Sequence, residues 1–185
     1  MHDDLATRNL TLAALFAALT AVGALVSIPL IGPVPFTFQV LFVLLAGMVL
    51  GPRLGALSML AYIALGLVAP VYAQGASGVG ALFGPAGGYL WGFVLGAALV
   101  GLLARSAHGS VLRLFAAGLA GLVPVYVLGA SWLAWQLGDG ITRHLVWIGA
   151  LQFLPLDIVK ALAAALTARA LASLPLGRPS LVRDR

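Results

Sequence analysis

Residues 54–104 read LGALSMLAYIALGLVAPVYAQGASGVGALFGPAGGYLWGFVLGAALVGLLA, without one charged side chain. A membrane helix needs about 20 apolar residues, so this stretch has room for two crossings. Its middle, Val71 to Gly88, is rich in glycine and lacks charge, which suggests a loop folded back onto the protein. Upstream, Thr11 to Pro52 is equally free of charge and again holds two crossings, joined by Ile28-Pro29-Leu30-Ile31-Gly32-Pro33-Val34-Pro35. The chain as a whole is 62% hydrophobic and 8% charged, against roughly 25% charged in a soluble domain. It lacks the polar residues for a solvated surface, and one membrane domain over residues 1–185 is expected.

The breakers divide the sequence into six expected spans, at about 10–30, 36–50, 54–68, 89–103, 114–135 and 154–174. Pro155 stands at the start of the last, where a first helical turn tolerates it. With the N-terminus inside, the inner side collects Arg8, Arg53, Arg105, Arg113, Arg169, Arg178, Arg183 and Arg185, and the outer side only Arg143. Cytoplasmic loops carry the excess of Lys and Arg, so both termini are expected inside. The outer loops are then about 29–36, 69–88 and 136–153, with Trp132, Trp135 and Trp147 near the outer ends of the last two spans. The first span is too long for an ordinary signal-peptide core, and it follows a segment that is not net basic.

Several chemistries find no footing. There are no cysteines, so disulfides and thiolate metal sites are excluded. The net charge of +5 lies in loop arginines rather than in a basic stripe with interleaved aromatics, and no nucleic-acid partner is expected. His2, His108 and His144 are scattered, no paired carboxylates or serine elbow occur, and no phosphate-binding loop is present. No catalytic residues, metal or cofactor are therefore expected; ATP hydrolysis, if it powers transport, must come from another subunit.

The anomaly is Lys160, the only lysine, three positions after Asp157 inside the last span. Residues three apart share a helix face, and a charge deep in a span costs about 2.5–3.5 kcal/mol on insertion scales. Such a pair either locks helices together or faces a ligand. Thr37 and Gln39 enter the second span from its outer end, as interhelical bonds or as pocket groups. The glycine-rich loop around Gln74 is either a lid or a flexible connector. On span one, Ala13, Ala17 and Ala21 recur every four residues, as do Ala14 and Ala18. These small faces pack inside the chain or against a separate membrane subunit.

Together these motifs resemble the BioY family, the substrate-capture (S) components of biotin transporters of the energy-coupling factor type. The resemblance runs from about Arg8 to about Leu171. It is carried by Pro33-Val34-Pro35-Phe36-Thr37-Phe38-Gln39, Leu45-Ala46-Gly47, Leu50-Gly51-Pro52-Arg53-Leu54-Gly55-Ala56, Tyr62 with Leu65-Gly66-Leu67, Gly84-Pro85-Ala86-Gly87-Gly88-Tyr89 with Gly92-Phe93, and Leu156-Asp157 with Lys160. It implies an all-α bundle of six transmembrane helices, a biotin pocket near the outer face and a lid between spans one and two. It also implies an alanine face on span one that meets a transmembrane coupling subunit, with two ATPase subunits below, in a prokaryotic cytoplasmic membrane. By the same resemblance Asp157 and Lys160 are ligand-binding residues, Gln74 stands nearest the family's usual loop Asn, and Ala86 replaces a common Thr. Thr37, Gln39, Tyr62 and Tyr89 complete the expected pocket. Capture of a different vitamin, or a structural or channel-like role, are the rival readings.

Overall fold

Gly51 and Pro52 decide how the second and third expected spans are built. The structure, a computed structural model, describes residues 2–138, 140 and 142–172, with side chains from Ala6 onward. Its elements are α1 (His2–Leu25), β1 (Ser27–Ile28), β2 (Phe36–Thr37), α2 (Gln39–Val68), α3 (Gly78–Leu82), α4 (Gly87–Ala104), α5 (Val111–Leu137), α6 (Arg143–Val146) and α7 (Leu154–Ala172). Within α2, Gly51 has φ 80° and ψ −179°, a left-handed conformation open to glycine, and Pro52 follows without needing a backbone donor. On a straight helix residues 47 and 55 would stand about 12 Å apart. Instead a Cβ placed on Gly55 lies 3.1 Å from the Gly47 Cα. The two arms of α2, residues 39–50 and 52–68, therefore fold back on each other as a hairpin.

Among the described residues, five helical stretches are long and apolar enough to cross a membrane: Ala6–Leu25, Gln39–Gly75, Gly87–Ala107, Val111–Leu137 and Arg143–Ala172. Wide bands of Leu, Val and Trp are exposed around them, among them Leu15, Val22, Leu60, Leu95, Val123, Val127, Leu162 and Leu166. A water-soluble surface does not tolerate such continuous apolar area; a lipid-facing one requires it. The chain is a multi-pass membrane protein. α4 packs between α2 and α5, α7 closes on α2 and α5, and α1 lies on α2. The close approach is helped by small residues: a Cβ on Gly101 would lie 2.4 Å from both the Gly51 carbonyl carbon and the Pro52 nitrogen, so α4 touches the hairpin tip backbone to backbone.

Several expected boundaries move. The first span stops at Leu25 rather than residue 30, because Ser27–Ile28 pair antiparallel with Phe36–Thr37. Ile28 precedes Pro29, which biases it to extended backbone, and the second span accordingly begins at Gln39 rather than 36. The loop over 69–88 contains a short 3₁₀ turn and α3, and the expected loop over 136–153 contains α6 and a π-helical turn at Trp147–Leu151. Residues 173 and 174 of the expected last span, Asp139, and Arg178, Arg183 and Arg185 lie outside the described residues.

Charge separates along the bundle. Arg53 follows the hairpin tip, Arg113 donates to the Ser106 carbonyl (3.2 Å), and the Arg169 guanidinium lies over Gly109. With Arg105 these exposed groups gather at one end. At the other end are the first turns of α2, α4 and α7, the β1–β2 pair and Arg143. On α1, Ala13 and Ala17 are buried in the chain's own bundle, so that pair does not present a partner face. Ala14 and Ala18 are exposed, and Ala21 is half-buried.

Candidate functional site

Pro155 stands in the first turn of α7 with Asp157, at the positive end of the helix dipole, which favours a carboxylate. One turn on, Lys160 reaches back over the same face. Both are buried, at 2% and 5% exposure. Lys160 Nζ donates to Asp157 Oδ1 at 2.6 Å and to the backbone oxygen of Thr37 at 2.5 Å. It also stands 3.7 Å from the centre of the Phe36 ring, a cation–π contact. Asp157 Oδ2 accepts from the Tyr126 hydroxyl at 2.5 Å. Each charge is thus neutralised and hydrogen-bonded, the condition on which a buried pair is tolerated.

This pair forms the polar floor of a cavity of about 230 Å³ at the loop-rich end of the bundle. Its walls come from three directions. Pro33 to Thr37 and Gln39 supply one; Tyr72, Ala73, Gln74 and Ala76 supply the second; Gly84 to Ala86 with Tyr89, Phe93, Tyr126 and Phe153 supply the third. An apolar wall with a few convergent polar groups is the usual make-up of a small-molecule site.

Of the residues expected at the site, Asp157, Lys160, Thr37, Gln39, Gln74 and Tyr89 line this cavity together. Tyr89 turns its hydroxyl away, donating to the Gly149 carbonyl at 2.6 Å, and offers its ring. Gln74 sits at the loop apex with φ 60° and ψ 22°, left-handed backbone in a residue that is not glycine. Such strain, of order 1–3 kcal/mol, is found where a side chain must be aimed. Tyr62 is the exception: it is fully buried behind Gln39 and does not line the cavity. Tyr126 and Tyr72 stand out among the lining residues that the sequence does not mark. Tyr126 looks like any aromatic in a lipid-facing span, and only its bond to Asp157 reveals it. Tyr72 lies in the glycine-rich loop; its ring occupies the notch left by Gly66, where a Cβ would lie 2.0 Å from it, and its hydroxyl donates to the Ile63 carbonyl.

The cavity's loops are tied to the helices beneath. Gln152 donates to the Ile31 carbonyl (2.8 Å), which joins the loop after α1 to the start of α7. Trp132 of α5 donates to the Gly84 carbonyl (3.0 Å).

This geometry occurs in a chain whose residues 1–175 match the family model described as the BioY family. The chain belongs to the BioY family. It is 44% identical over 172 residues to the biotin transporter BioY of Thermotoga maritima, covering 92% of this chain and 99% of that protein. To the probable biotin transporter BioY of Pyrococcus horikoshii it is 43% identical over 165 residues, with 89% and 96% covered. Among solved structures it superposes on the S-component for biotin from an ECF-type ABC transporter, with a TM-score of 0.86, 28% identity and 98% of each chain covered. The likeness extends over the whole bundle, so the hairpin at Gly51 and the cavity both fall inside the BioY match.

Proposed function

We propose that this chain captures biotin in the cavity above Asp157 and Lys160 and serves as the substrate-specific subunit of an ECF-type biotin transporter. The observation that carries the reading is the donor and acceptor placed 2.6 Å apart on one buried face. A cyclic urea presents an N–H beside a carbonyl oxygen along each edge. Asp157 accepts from that N–H and Lys160 donates to that carbonyl, both as charge-assisted bonds. The sulfur-containing ring and aliphatic tail then meet Phe36, Tyr89, Phe93 and Phe153. The ligand's carboxylate extends toward the loop that carries Gln74. Whole-length kinship with proteins named as biotin transporters supports the same substrate.

Counted with the two arms of α2 as separate crossings, the described residues supply six membrane segments on this reading, and the end with the exposed arginines faces inward. The cavity then opens outward across a prokaryotic cytoplasmic membrane, and both termini lie inside. Reporter fusions at the C-terminus should report an inside location, and an outside location would reverse this orientation. The exposed Ala14–Ala18 face allows close packing of a partner helix from an energy-coupling subunit, with ATP hydrolysis supplied by further subunits.

Equilibrium titration of the detergent-purified protein tests the substrate. Saturable biotin binding is expected, without binding of other vitamins at comparable concentration. A folded protein that ignores biotin and binds another vitamin, or binds none, would refute the proposal.

A further inference from the structure

Tyr62 is fully buried, yet its hydroxyl is fully used: it accepts from the Gln39 side-chain amide (2.5 Å) and donates to the Val71 carbonyl (3.0 Å). Gln39 in turn accepts from the Thr37 hydroxyl at 2.8 Å, and its own backbone N–H donates to the same hydroxyl at 3.3 Å. The Thr37 carbonyl holds Lys160. A connected path therefore runs from the charged pair to the Thr37 backbone, through that residue's own covalent frame to its hydroxyl, and on by hydrogen bonds through Gln39 and Tyr62 to the partly buried Val71 carbonyl. It passes through one loop that walls the cavity, residues 33–37, and ends at Val71, next to the other, residues 72–76.

We infer that Tyr62 is a positioning residue that couples these loops, so that biotin at Lys160 orders the Tyr72–Ala76 loop as well as the β1–β2 pair. Packing alone does not require the hydroxyl. A phenylalanine ring would fill the same space and keep the edge-to-face contact with Tyr72, at 5.6 Å between centroids. What the oxygen adds is a tether between two otherwise separate segments. Lys160 has a third N–H beyond those given to Asp157 and the Thr37 carbonyl; a ligand that draws on it shifts the ammonium against Thr37, and a change at Thr37 reaches Gln39 directly. From the Thr37 hydroxyl onward the hydrogen bonds run in series and polarise one another, so a displacement of Thr37 is passed on as altered bonding at Val71. Val71 is where it leaves the helices: Tyr72, Gly75 and Ala76 then form their own turn, closed by bonds from Tyr72 N to Ala76 O and from Ala76 N to Ala73 O. Those amides report whether the loop is held.

The inference rests on biotin occupying the Asp157–Lys160 end, and the test separates the two claims. Hydrogen exchange of the purified full chain is followed by mass spectrometry with and without biotin, for wild type, Tyr62→Phe and Thr37→Val. In wild type, biotin should slow exchange in both 27–38 and 71–76. In Tyr62→Phe, protection should persist in 27–38 and vanish in 71–76. Biotin should also dissociate about tenfold faster, as expected for loss of one buried hydrogen bond, with association unchanged. Thr37→Val cuts the same path without touching Tyr62 and should uncouple the loops in the same way, which decides the matter if Tyr62→Phe does not fold. Protection of both segments in either folded variant would overturn the coupling, as would wild-type protection confined to 27–38. A wild type that binds no biotin would overturn the site itself.

Discussion

Lys160→Ala is expected to lower biotin affinity at least a hundredfold and to lower the stability of the protein. Removing the lysine leaves Asp157 buried without its counter-charge and the Thr37 carbonyl without its donor. An uncompensated buried charge costs the fold about 3–5 kcal/mol; losing a buried charged partner in a binding contact costs about 2–5 kcal/mol, and each 1.4 kcal/mol is about a factor of ten in a binding constant. Stability and binding are separable here. The double variant Asp157→Leu, Lys160→Met replaces the pair by apolar groups of similar size, an exchange that is often neutral for stability. It should recover much of the thermal midpoint lost by Lys160→Ala, the Thr37 carbonyl and Tyr126 hydroxyl still lacking their partners, and leave biotin binding abolished. A purely structural ion pair predicts the opposite for binding: once the fold is restored, biotin affinity would return with it.

The second large effect is expected far from the cavity. Gly101→Ala places a methyl group 2.4 Å from the backbone of Gly51 and Pro52, where no flexible side chain can yield. Either α4 withdraws from the hairpin tip or the tip reopens, and overpacking of this kind costs roughly 1–3 kcal/mol. The thermal midpoint should fall clearly, whereas the folded fraction should bind biotin with wild-type affinity, because the pocket is at the other end of the bundle. Gly140→Ala makes a matched control: an added Cβ there meets nothing within 4 Å, and its stability should change by less than about 0.5 kcal/mol. A Gly101→Ala protein as stable as the control would mean that the hairpin does not pack as described.

What the sequence could tell, and what it could not, follows from lipid as a solvent. Uncharged runs ended by glycine, proline and arginine identify membrane helices because backbone groups in lipid must bond within the helix. Asp157 and Lys160 stand out for the same reason. Lipid, however, is as apolar as leucine, so hydropathy does not mark which helix face is inside. Ala13 with Ala17 and Ala14 with Ala18 look alike in sequence, yet the first pair is buried and the second exposed. Tyr126 and Tyr62 were similarly opaque. Their rings suit a membrane helix anywhere, and only their hydroxyl partners, Asp157 for one and Gln39 with Val71 for the other, assign one to the pocket and one behind it. The β1–β2 pair is only two residues on each side, closed across a proline-rich loop, too short for an alternating pattern to announce it.

On the proposed reading, biotin's ureido edge rests on the Asp157–Lys160 pair. An experimental structure of the purified protein with biotin bound tests it most directly. The ureido N–H and carbonyl oxygen should lie within hydrogen-bond distance, about 2.7–3.2 Å, of the Asp157 carboxylate and Lys160 Nζ respectively. Biotin bound with its carboxylate on Lys160, or bound outside this cavity, would contradict the account.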